Sequence, residues 1–74
     1  MELINIQKYI KERIVTIEGE LKGLRSLLIS IKKTNSGKAP SPELIMEVDT
    51  IIKEIHSRII LINELKDLLD EIFS

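Results

Sequence analysis

Apolar residues recur at steps of three and four over two long stretches of this chain, with a short polar stretch between them. In the first, Ile14, Leu21 and Leu28 fall at heptad position a, and Leu3, Ile10, Ile17, Leu24 and Ile31 fall at d. The spacing predicts a helix over about residues 3–33 with one continuous apolar stripe. Gln7 is the polar member at an a position, read as a solvated residue near a helix end or as a register-setting contact. In the second stretch, Val48, Ile55, Ile62 and Leu69 fall at a, and Leu44, Ile51, Leu65 and Ile72 at d. That predicts a helix over about 42–73. Arg58 interrupts its d positions. An arginine there lays its aliphatic stem along the seam and needs a carboxylate, either Glu54 one turn back or Glu18 or Glu20 across the fold.

The intervening residues 34–41 carry the signals of a turn. Asn35 or Gly37 can take the left-handed conformation that closes a helix. Lys32 and Lys33 place cations at the negative end of the first helix. Ser41-Pro42-Glu43 supplies a capping serine, a proline at the first helical position and an acidic residue in the first turn. Folding back at this point pairs residues whose numbers sum to about 75, such as Leu28 with Val48, Leu24 with Ile51, Leu21 with Ile55 and Ile14 with Ile62. The pattern therefore predicts an all-α chain forming one domain over 1–74, an antiparallel two-helix hairpin of coiled-coil type.

The second helix has more apolar surface than a two-helix seam can cover. Ile45, Ile52, Ile59 and Phe73 sit at position e, and Leu61 and Leu68 at g. An exposed aliphatic surface of that size marks an interface. Its economical cover is a second copy, two hairpins forming an antiparallel four-helix bundle. The alternative cover is a larger protein onto which the hairpin docks. The back of the first helix differs. Thr16, Gly19, Gly23, Ser26 and Ser30 follow one another along positions c and f, bordered by Tyr9, Val15 and Ile29. Two glycines inside a helix cost about 1 kcal/mol each against alanine. They read either as tolerated surface or as a smooth second groove for a partner, made of Tyr9, Val15, Gly19, Gly23, Ser26 and Ile29.

Composition narrows the class. A chain of 74 residues without cysteine has no disulfide to stabilise it, and one histidine makes a structural zinc site untenable. Stability has to come from helix packing and association. The longest apolar run, Ile59–Ile62, falls far short of the roughly 18 residues of a membrane span. Glu2, Asn5, Gln7 and Lys8 break up any signal-peptide pattern. A cytoplasmic, soluble protein is expected, with no membrane partner. The Ile-, Lys- and Glu-rich, Ala-poor composition is of the kind common in thermophiles. The net charge of −1 conceals opposite halves. Residues 1–34 carry seven Lys or Arg against four Asp or Glu, and residues 41–74 carry three against eight. A basic helix and an acidic one attract when antiparallel, at small gain for each exposed pair.

No motif carries catalysis. His56 lies at an outer b position beside Lys53 and Asp49, and reads as solvated surface. Glu64, Asp67, Asp70 and Glu71 form an acidic cluster without the inward Glu-x-x-His pairs of a di-metal bundle. Ser36-Gly37-Lys38 lacks the framework of a phosphate-binding loop. Catalytic, cofactor-binding and metal-binding residues are accordingly expected to be none. Small hairpins that dephosphorylate sporulation response regulators carry Ser-x-x-Leu-Asp; the comparable run Ile45-Met46-Glu47-Val48-Asp49 lacks the serine, so that activity is not expected. The expected architecture resembles plasmid-encoded hairpin dimers that bind paired RNA loops through one helix face. The resemblance is of shape. It implies nucleic-acid contacts from the basic side of the first helix, here Lys8, Lys22, Arg25 and Lys33, with Glu12, Glu18 and Glu20 interleaved among them. The sequence thus leads first to a non-enzymatic interaction module, an adaptor or accessory subunit that self-associates. A nucleic-acid-binding regulator is the alternative.

Overall fold

Two helices make up the described residues. The computed structural model describes residues 2–73; residues 1 and 74, the limits of the domain expected from the sequence, lie outside the described residues. Helix α1 spans Glu2–Thr34 and helix α2 spans Pro42–Phe73. They pack against each other along their length, with no strand among the described residues. The result is a rod with principal extents of 56 × 16 × 15 Å. Thirty-three residues at 1.5 Å rise account for about 50 Å of that length, and the turn for the remainder.

The a and d stripes meet to form the core. Ile10, Ile14, Ile17 and Leu21 of α1 and Ile51, Ile55 and Ile62 of α2 are buried. Leu24, Leu28, Ile31, Ile59, Leu65 and Leu69 pack around them while remaining partly exposed. Ile17 is the most enclosed side chain, at 1% exposure. The seam runs out at the open end. Leu3 and Ile72, both d positions placed opposite each other by the register, stay 60% and 43% exposed. Periodicity assigns Leu3 to the stripe, but a two-helix rod has no third element to cover its ends. Gln7 is half-buried.

The turn uses glycine where only glycine is comfortable. Gly37 has φ of 76°, and among the described residues no non-glycine residue has positive φ. Asn35, the other candidate for a left-handed closure, does not adopt it. Its N–H donates to the Ile31 carbonyl at 3.0 Å, which continues the helical pattern. The Lys38 N–H then donates to the Asn35 carbonyl at 3.2 Å, tightening the reversal. Helix α2 begins as the Ser-Pro-Glu signal predicts. Ser41 Oγ accepts from the Leu44 N–H at 3.2 Å, and the Ser41 carbonyl accepts from the Ile45 N–H at 3.0 Å. Such a cap contributes about 1 kcal/mol.

Candidate docking surfaces on the hairpin

Arg58 fixes how the two helices stand against each other. Its Nε donates to Glu20 Oε1 of α1 at 3.1 Å. Its Nη1 donates to the Glu54 carboxylate and, at 3.3 Å, to the Glu54 carbonyl oxygen. The guanidinium is half-buried and bonded on both sides of the seam, so a d position tolerates it. Its pKa is raised, first by the Glu54 hydrogen bond and then by Glu20. Glu20 is the partner across the hairpin; Glu18 is not. No polar side-chain atom is left buried without a partner among the described residues.

That register divides the apolar surplus of α2 into two edges. Ile45, Ile52 and Ile59 are one heptad apart along the e edge, and Phe73 ends the same edge at the open end of the rod. Leu61 and Leu68 lie on the g edge, on the other side of the seam. These six residues are therefore not brought together on one patch. Ile45 is 54% exposed and Ile52 37%, while Ile59 is half-buried against the core. The e edge opens progressively toward the turn. There it merges with a groove of about 360 Å³ lined by Ile31, Lys32, Asn35, Pro40, Leu44, Ile45 and Val48. Lys32 of α1 and Ile45 of α2 share that groove. Stepping one heptad at a time along both helices, Arg25 comes level with Ile52, and Glu18 with Ile59. The apolar row on α2 is thus bordered by a charged row on α1.

The outer side of α1 is a different surface. Tyr9, Val15, Ser26 and Ile29 are all exposed, and a Cβ built on Gly19 or Gly23 would meet nothing within 4 Å. Thr16 bonds its own helix, its Oγ1 donating to the Glu12 carbonyl at 3.0 Å. A shallow hollow of about 350 Å³ lies beside Val15, between Lys11, Glu12 and Thr16. Nothing within the hairpin requires the two glycines. Lys8, Lys22, Arg25 and Lys33 are exposed. Lys8 lies 4.0 Å from Glu12, and the exposed Glu18 and Glu20 stand on the same helix, so the cations do not form an uninterrupted basic face.

Two further exposed side chains escape a reading based on the seam and its two edges. Met46 is 71% and Ile60 58% exposed, both at outer f positions of α2. Their signal is faint, since a single apolar residue on an outer face is ordinary. Among the described residues, no three His, Asp or Glu side chains gather as a group that could hold a metal ion. His56 lies on the exposed face of α2, and among the described residues no helix is long and apolar enough to cross a membrane. The groove beside the turn is walled mainly by aliphatic side chains, Ile31, Leu44, Ile45 and Val48 among them.

No family model, no curated protein and no solved structure matches this chain.

Proposed function

We propose that the hairpin is a non-enzymatic protein–protein interaction module, a small adaptor or accessory subunit that works by self-association and by docking through the faces of its helices. The observation that carries this reading is the row Ile45, Ile52 and Ile59. Ile45 and Ile52 stand exposed along the e edge of α2, and the half-buried Ile59 continues the row, beside a core formed by the hairpin itself. Aliphatic side chains spaced in this way along a rigid helix offer a partner a ready-made ridge, and covering them is favourable at about 25 cal/mol per Å². The groove beside the turn, lined mainly by Ile31, Pro40, Leu44, Ile45 and Val48, suits an aliphatic side chain of a partner better than it suits bond-making.

Sedimentation equilibrium tests the self-association. The expected mass is about twice the 8.5 kDa of the chain. Ile52→Glu should weaken association by at least a hundredfold, because it puts a charge at the middle of the row. Circular dichroism should show that the variant remains helical, since Ile52 lies outside the buried core. A wild-type chain that stays monomeric at high micromolar concentration removes self-association from the reading.

A further inference from the structure

We infer that the partner for the e edge of α2 is a second copy of this chain, related by a twofold axis that crosses α2 at right angles near Ile52, so that the two rods overlap along roughly the two thirds of their length nearer the turn. The inference rests on the self-association proposed above and specifies its geometry.

The argument starts from two parallel rows on one side of the hairpin. Helix α2 presents Ile45, Ile52 and Ile59, and α1 presents Lys32, Arg25 and Glu18 at the same levels. An isologous contact has to satisfy both rows with one operation. An axis parallel to the rod stacks α1 on the partner's α2. It sets the isoleucines of each copy against the Lys32, Arg25 and Glu18 of the other, leaving apolar and charged groups unmatched. A parallel contact through α2 alone matches isoleucine with isoleucine but carries the two charged rows to opposite sides, leaving Lys32 and Glu18 without a partner across the contact.

An axis across the rod stacks α2 on α2 and α1 on α1, both antiparallel. Only its height remains to be chosen. At the level of Ile59, Ile52 would meet the partner's Lys66, Arg25 would meet the partner's Lys11, and Glu18 would meet itself. At the level of Ile52, Ile45 meets the partner's Ile59 and Ile52 meets itself. Lys32 then meets the partner's Glu18, twice by symmetry. The one like-charged pair is Arg25 with itself on the axis, where two long exposed side chains can turn apart. The gradient of exposure agrees with this height. The edge is most open at Ile45, beside the turn groove, where the partner's Ile59 would be received. Ile52 lies about 8 Å from the middle of α2 toward the turn, so the two α2 helices are displaced by about 16 Å along their length.

The chain contains no cysteine, so single introduced cysteines report this geometry without interference. Ile45→Cys, Ile52→Cys and Ile59→Cys are each oxidised under mild conditions, and sedimentation is run on the reduced proteins. The expected result is a dimer in all three, a disulfide in Ile52→Cys alone, and a disulfide between Ile45→Cys and Ile59→Cys when those two are mixed. Cross-linking of Ile59→Cys alone overturns the stagger in favour of full overlap. Self-linking of all three overturns the antiparallel arrangement. A dimer that none of them cross-links overturns the e edge as the contact, while leaving self-association standing. A monomer overturns both. As a check on the charge match, Glu18→Lys should weaken dimerisation about fivefold through the two exposed pairs, and adding Lys32→Glu should restore it. A double variant weaker than the single one overturns the pairing.

Discussion

Helices α1 and α2 are nearly equal in length and share one seam, yet what surrounds that seam differs on each. Helix α1 buries four residues and α2 three. Beyond the seam, the e edge of α1 runs Lys11, Glu18, Arg25 and Lys32 after Ile4, its g edge holds the exposed Ile6 and Leu27, and two glycines back it. On α2 the e edge runs Ile45, Ile52 and Ile59 before Lys66, and the g edge runs Glu47 and Glu54 before Leu61 and Leu68. The seam is therefore the part of the molecule that closes on itself, and the asymmetry lies in the surface left outside it. Folding alone would be served as well by a polar edge on α2. Packing within the hairpin accounts for the half-buried Ile59 but not for the exposed Ile45 and Ile52 in register with it.

The largest effect should come from the shared seam, where the two helices are equivalent. Ile17→Ala removes the most enclosed side chain and should cost about 3–4 kcal/mol. Ile55→Ala on α2 should cost a similar amount, read as the shift in urea midpoint by circular dichroism at fixed concentration. A domain of this size has little stability to spare, so either variant should be largely unfolded at 37 °C. If α2 tolerated the loss and α1 did not, the seam would not be the common element assumed here.

A smaller effect of opposite sign should separate the two outer faces. Gly19→Ala and Gly23→Ala together should stabilise the hairpin by about 2 kcal/mol, because alanine costs less than glycine in a helix and each new methyl group enters open space. Helix α2 offers no equivalent gain, having no glycine. A loss of stability would show that the outer side of α1 is already packed against a second copy. Unchanged dimerisation with the stability gain would leave the glycines to a partner other than this chain.

Much of this architecture is legible from the order of residues alone. Both helices, the capped turn and the antiparallel seam follow from three- and four-residue spacing and from Ser41-Pro42-Glu43, because those are local effects that a helix imposes wherever it forms. The pairing of Arg58 with Glu54 and Glu20 follows from the cost of an unpaired charge on the seam. Two things are less visible. Leu3 has the spacing of a core residue but not the cover of one, since periodicity reports which way a side chain faces and not whether anything lies opposite. Grouping Ile45, Ile52, Ile59, Phe73, Leu61 and Leu68 as one surface overlooks that positions e and g lie on opposite sides of the seam. The rows separate only when both helices are placed in space and Lys32 is found in the same groove as Ile45. The identity of any partner is a property of two surfaces, and one chain carries only half of it.

The smallest predicted effect is the most direct check on the contrast between the helices. Val15 is 67% exposed, more than Ile45 or Ile52, yet it has no apolar neighbour in register one heptad away: position 8 is Lys8 and position 22 is Lys22. An isolated exposed valine offers a partner no continuous ridge. Val15→Glu places a carboxylate one turn from Lys11, which favours it slightly, and within reach of Glu12 and Glu18, which does not. These terms nearly cancel, so stability should change by less than about 0.5 kcal/mol. The sedimentation mass should not change either, whereas the same substitution at Ile52 should dissociate the protein. Equal dissociation by both would mean that exposure alone, and not the spacing of the row, decides where this hairpin associates.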